Sequence, residues 1–215
     1  MSIEAFDIFL GNTVLIIEII AAGVALISFS NYKHTPLKYF PILLVYTVVN
    51  EFIGGIGIFK TNNVVIYNIY NIIFFLFFLW VFWHFIANKR FKKWILGAVI
   101  IFMLTCIINP IFQNFIRESQ LFTYLIGACT LLFCIILYYI EILSTSQVLI
   151  INQELLFWIS VGLLLFYVGY IPIKLTRVFF EFHNNMYINL RIVHRLLIII
   201  LNGCFITGFL WMKKK

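Results

Sequence analysis

The sequence predicts an all-α, polytopic transmembrane helical bundle of about seven spans, and three observations carry that expectation. Of its 215 residues, 64% are hydrophobic and 11% charged, where a soluble domain averages about 45–50% apolar and 25% charged. Mean hydropathy is +1.07. Apolar runs close to the ~20 residues that a helix needs to cross a bilayer follow one another along the chain, separated by short loop-type clusters.

Taken in order, the expected spans are 8–29, 39–59, 67–86, 94–112, 121–143, 154–174 and 191–212. The breaks fall at Ser30 to Lys38, Lys60 to Asn63, Ala87 to Lys93, Gln113 to Gln120, Ser144 to Gln153, and Leu175 to Leu190. No repeat or long linker divides the chain, so residues 1–215 read as one bundle with no soluble domain. The first seven residues have no basic region and no small-residue cleavage site, unlike a secretory signal peptide.

Orientation follows from the basic residues. Nine (Lys33, Lys38, Lys89, Arg90, Lys92, Lys93, Lys213, Lys214 and Lys215) fall on one side. Six (Lys60, Arg117, Lys174, Arg177, Arg191 and Arg195) fall on the other, with Glu4, Asp7, Glu118 and Glu181. The positive-inside rule then places the N-terminus outside and the C-terminus in the cytoplasm. Trp80, Trp83, Trp94, Trp158 and Trp211 fall near the expected cytoplasmic ends, as belt residues do. The net charge of +7 does not point to nucleic acid, because loop and tail positions suit anionic lipid.

Charged groups inside a span cost several kcal/mol unless paired, and so mark function more often than other residues do. Glu51 and Glu18 lie near the middle of two consecutive expected spans. Arg195 is placed to extend toward either acid. Asn50, Asn71, Asn109, Tyr167, Tyr170 and Asn202 complete a candidate polar site opening outward, for a ligand or an ion. Asn68 and Asn71 share a face at i, i+3, and Pro110 frees a backbone carbonyl in the fourth span. Against this stands the plainer reading, in which amides join helices and Arg195 extends to the interface. Gly162, Gly169, Gly203 and Gly208 read as packing positions, as do Gly54, Gly55 and Gly57.

Enzyme chemistry finds little support. Positions 193–210 contain no lysine for a retinal Schiff base. HExxH and GxSxG are absent. The single aspartate precedes the first expected span, which excludes an intramembrane aspartate pair. His84 and His194 fall at opposite depths, and Cys106, Cys129, Cys134 and Cys204 lack ligand spacing, so neither metal nor cofactor is expected.

Four segments carry a resemblance. They are Phe157 to Gly169 (FWISVGLLLFYVG), Asn202 to Trp211 (NGCFITGFLW), Asn62 to Asn71 (NNVVIYNIYN) and Thr35 to Phe40 (TPLKYF). Together they resemble short seven-span membrane proteins of Gram-negative bacteria, which implies the inner membrane. In size and class the chain is also similar to membrane accessories of CRISPR systems with an RNA-guided, RNA-cleaving effector. That likeness implies a non-enzymatic modulator of a cytoplasmic antiviral nuclease, and it transfers no functional residue. Lys89, Arg90, Lys92, Lys93 and Lys213 to Lys215 are the candidate cytoplasmic contacts. A receptor signalling to a kinase and a small proton- or cation-coupled transporter or channel are the alternatives, and a homo-oligomer is compatible with each.

Overall fold

A computed structural model describes residues 2–56, 63–144, 151, 153–179 and 184–212. Its principal elements are α1 (Ile3–Ile27), α2 (Phe29–Tyr32), a 3-10 turn (Pro36–Tyr39), α3 (Phe40–Ile56), α4 (Asn63–Phe85), α5 (Lys89–Phe112), α6 (Leu121–Leu143), α7 (Leu155–Phe179) and α8 (Asn184–Trp211). The described residues contain no strand. Six helices, all of these but α2 and α3, are long and apolar enough to cross a membrane. The protein is a multi-pass membrane protein. As described, α3 has 17 residues, a length of roughly 25 Å at 1.5 Å per residue, and the rest of the expected second span lies outside the described residues.

The outward faces are apolar. On α5, Leu96, Ile100, Ile101, Leu104, Ile107, Ile108 and Ile111 are all exposed. A soluble monomer rarely shows a contiguous apolar patch beyond about 300–600 Å², whereas lipid accepts one. In lipid, apolar contact between helices gains little over contact with acyl chains. Close packing and polar pairing must therefore hold the helices together.

The helices group into two compact units, residues 1–32 with 150–215 and residues 33–149. In the first, α8 packs against both α1 and α7. Ser2 starts α1 by accepting the Ala5 N–H at 3.2 Å, and Glu4 suits the positive end of the helix. Helix α1 therefore begins five residues before the expected span and takes in Asp7. The expectation that no aspartate lies within a span is corrected, because Ile3–Ile27 qualifies as one.

Asp7, Leu10, Val14, Glu18, Ala21, Ala22 and Ala25 form the buried stripe of α1, at helical spacing. Its start meets the first half of α8 through Asp7 and Arg195, and Tyr32, just past its end, meets Phe209 near the end of α8 with ring centroids 5.5 Å apart. Helices α1 and α8 are thus parallel. The buried Tyr32 hydroxyl donates to the Ala25 carbonyl at 2.5 Å. Burial raises its pKa above the ordinary tyrosine value, which keeps the phenol a donor.

Helix α7 runs antiparallel to α8 along glycines. A Cβ at Gly162 would lie 2.9 Å from Cys204 Cβ and 3.1 Å from the Leu201 carbonyl oxygen. One at Gly169 would meet Leu197 at 2.9 Å, and one at Gly208 would meet Trp158 Cβ at 2.8 Å. Gly203 differs from the expectation: a Cβ there would meet nothing within 4 Å. Gly54 and Gly55 lie in α3 with no described packing, and Gly57 lies outside the described residues.

The second unit is built on rings. Phe75 packs edge-on against Phe102 and Tyr124, each with centroids 5.6 Å away. Gly127 of α6 makes room for them, since a Cβ there would stand 2.5 Å from Phe75 and 2.8 Å from Phe102. Gly127→Ala is expected to destabilise this unit by about 1–3 kcal/mol, read as an earlier unfolding transition in detergent; an unchanged transition would mean that the rings yield freely. At one end, Glu141 accepts the Ala87 N–H at 2.7 Å and the Asn88 N–H at 3.3 Å, fixing the α4–α5 turn. Asn88 caps α5 through Arg90 N–H at 2.9 Å. All four cysteines are free thiols.

Candidate functional site

The strongest charged arrangement lies in the first unit, at the shared starting end of α1 and α8. Arg191 and Arg195 stand four residues apart, hence on one face of α8. Between them they engage both carboxylate oxygens of Asp7, Arg191 at 2.6 Å and Arg195 at 2.7 Å. Arg195 also donates to the Asp7 backbone carbonyl. The Asp7 side chain is only 4% exposed, against 39% and 24% for Arg191 and Arg195. Gly11, one turn after Asp7, leaves the space in which the guanidinium sits, since a Cβ there would be 3.0 Å from Arg195 Cζ.

Around this clamp lie further cations and rings. Tyr187 of α8 has the Arg177 guanidinium 5.4 Å from its ring centroid and that of Arg191 at 5.8 Å, within reach of cation–π attraction. Tyr170 of α7 stacks on His194 of α8, centroids 4.1 Å apart. Tyr170, Lys174 and Arg177 share one face of the last two turns of α7 by their i, i+4 and i, i+3 spacing. The other end of the unit is aromatic, with Trp158 stacked on Trp211 at 6.0 Å. The unit is polar at one end and belt-like at the other.

Of the expected polar site, Glu18, Tyr167, Tyr170, Arg195 and Asn202 belong to this unit, and Asn50, Glu51, Asn71 and Asn109 to the other. Arg195 is engaged by Asp7, a partner that the expected alternatives, Glu18 and Glu51, did not include. Glu18 and Tyr167 are buried. Asn202 is buried and donates to Ile198 of its own helix at 3.0 Å. On α3, Asn50 is buried while Glu51 is exposed. The ~100° turn per residue that brings Asn50 inward carries Glu51 to the exposed side of α3.

Asn109 belongs to a structural knot. Its amide donates to the side-chain oxygens of Gln113 at 3.2 Å and Gln120 at 2.8 Å. Asn68 of α4 donates to the carbonyls of Phe115 at 2.8 Å and Glu118 at 2.9 Å, and accepts the Gln120 N–H at 3.2 Å. One asparagine thus holds the α5–α6 turn at three points. Asn68→Ala would strip buried groups of partners at about 1–3 kcal/mol each, seen as faster proteolysis between α5 and α6; cleavage at the wild-type rate would refute the assignment. Asn71 lines a small open cleft beside this knot.

Among the described residues, no group of three His, Cys, Asp or Glu side chains could hold a metal ion. His84 Nδ1 lies 2.9 Å from the Trp80 carbonyl oxygen. Of the basic contact residues, Lys89, Arg90 and Lys93 are exposed in the first turns of α5. The Lys92 ammonium lies over Trp83, 4.9 Å from the ring centroid. Lys213 to Lys215 lie outside the described residues.

The Asp7 clamp had a signature in the sequence. Arg191 and Arg195 at i, i+4 require an acid, and Asp7 continues the stripe of Leu10, Val14 and Glu18. Comparison with known protein families, curated proteins and solved structures finds no match to this chain.

Proposed function

We propose that the chain is a seven-span, non-enzymatic protein of the bacterial inner membrane that regulates a cytoplasmic partner, with its N-terminus outside. The parallel run of α1 and α8 supports seven crossings. Six crossings that skip α3 would make the first and last spans antiparallel, whereas an odd number makes them parallel.

The observation that carries the regulatory reading is the exposed basic start of α5. Lys89, Arg90 and Lys93 stand at the positive end of the helix dipole, where cations are disfavoured by a few tenths of a kcal/mol each. An acidic partner surface at that face offsets this cost. The partner that the resemblance favours is an RNA-guided, RNA-cleaving antiviral effector. A second reading, a receptor coupled to a sensor kinase, draws on the Asp7–Arg191–Arg195 cluster, which suits ligand-dependent rearrangement.

Affinity purification of the full chain from its native membrane tests both readings. Co-purification of an RNA-guided nuclease, lost on combined Lys89→Gln, Arg90→Gln and Lys93→Gln substitution, is the expected result. Recovery of a histidine kinase would favour the receptor, and recovery of the chain alone would contradict partner regulation.

A further inference from the structure

The clamp accounts for Asp7 and leaves guanidinium donors of Arg177 and Arg191 over. Arg177 stands toward the end of α7, facing Arg191 and Arg195 of α8, and Asp7 pairs with the latter two. Glu4, one turn earlier on α1, is exposed, and Glu181 lies outside the described residues. Arg177 Nε and Nη2 and Arg191 Nε are buried and have no hydrogen-bond partner among the described residues. Guanidinium N–H groups withdrawn from water without an acceptor are costly, and orphaned groups of this kind need a physical explanation. Arg177 and Arg191 both border the same Tyr187 ring, so their free donors belong to one neighbourhood.

We propose that this end of the α7–α8 pair binds a phosphate-type oxyanion, with Arg177 as its principal ligand and Arg191 assisting. The planar guanidinium fork matches two phosphate oxygens at once, and an anion there satisfies the orphaned donors. Asp7 fulfils a different role: it occupies the second cationic face and holds Arg191 and Arg195 in position. Two sources supply such an anion, a phospholipid headgroup at the ends of these apolar helices or a soluble phosphate ester.

The test uses the full chain purified in a neutral detergent. Thermal unfolding is followed with inorganic phosphate, and lipid binding is followed in nanodiscs of phosphatidylglycerol or phosphatidylcholine. A rise in unfolding temperature with phosphate at constant ionic strength identifies a soluble-anion site. Preferential retention of phosphatidylglycerol, without a phosphate response, identifies a headgroup site. In either case Arg177→Gln is expected to weaken binding on the order of tenfold to a hundredfold, as loss of charge-assisted bonds does. The same variant, with its orphaned donors removed, is expected to unfold no earlier than wild type when no anion is present. Arg177→Lys, which keeps the charge and loses the fork, is expected to recover only part of the affinity. No response to either anion source, or an equal response in Arg177→Gln, would overturn the proposal. Partner regulation stands or falls separately, through the purification experiment.

Discussion

Asp7→Asn is expected to lower stability by about 3 kcal/mol, the lower end of what breaking a buried ion pair costs. The substitution removes the carboxylate charge and leaves two guanidiniums without it. Arg191 has 39% of its side chain exposed and can turn outward. Arg195, at 24% and held in the space beside Gly11, has less freedom. Most of the loss therefore comes from Arg195, and a double-mutant cycle separates the two contributions. Arg195→Met alone leaves Asp7 paired with Arg191 and should cost less than Asp7→Asn. The double variant should be more stable than Asp7→Asn, because it no longer strands that guanidinium. Unfolding in detergent measures all three, and additive effects with no recovery would remove the ion pair from the account.

The second large effect is expected at Gly162. Leucine there would drive a side chain into the seam where α7 meets α8, at a point where one contact is the Leu201 carbonyl oxygen. Backbone yields far less than a flexible side chain, so the helices must part along a seam that also contains Gly169 and Gly208. Overpacking of this kind costs about 1–3 kcal/mol and sometimes more, and in lipid the separated helices recover little from other contacts. Gly162→Leu should lower the unfolding temperature markedly. Gly203→Leu, adjacent in sequence to the seam residue Cys204 but facing open space, should change it little. Equal losses from the two variants would mean that helix propensity, and not close approach, decides the outcome.

Much of the helical pattern was legible because a span is specified by apolar length. The expected run 121–143 coincides with α6, where Gln120 and Ser144 bound the apolar stretch. The starts of α1, α5 and α8 were placed too late, since their first turns are polar and contain Asp7, Lys89 to Lys93 and Arg191. Hydropathy stops at such residues, whereas a helix continues through them once a cap and a partner satisfy them. Ser2 and Asn88 are the caps, and Asp7 with Arg191 and Arg195 are the partners for α1 and α8.

The candidate site was less legible for a different reason. Depth along a span can be read from residue number, but the direction a side chain faces depends on which helices are neighbours. Glu51 and Asn50 differ by one residue and take opposite environments. Asn109 was expected in the candidate site, and Asn68 on the face that it shares with Asn71, because buried amides demand partners. Their partners proved to be the carbonyls and glutamines of the adjacent α5–α6 turn. Arg195 was expected to extend toward Glu18 or Glu51 or to the interface, and its carboxylate partner is Asp7, near the start of α1.

The proposed topology has α1 and α8 crossing the membrane in the same direction, clamped at one end by Asp7, and the chain crossing an odd number of times. Single cysteines at Ser2 and Lys214, introduced after replacement of Cys106, Cys129, Cys134 and Cys204, report it directly. A membrane-impermeant maleimide applied to intact cells is expected to label the Ser2→Cys variant and to leave Lys214→Cys unlabelled until the membrane is opened. Labelling of both, or of neither, before the membrane is opened would place the two ends on one side and contradict the account.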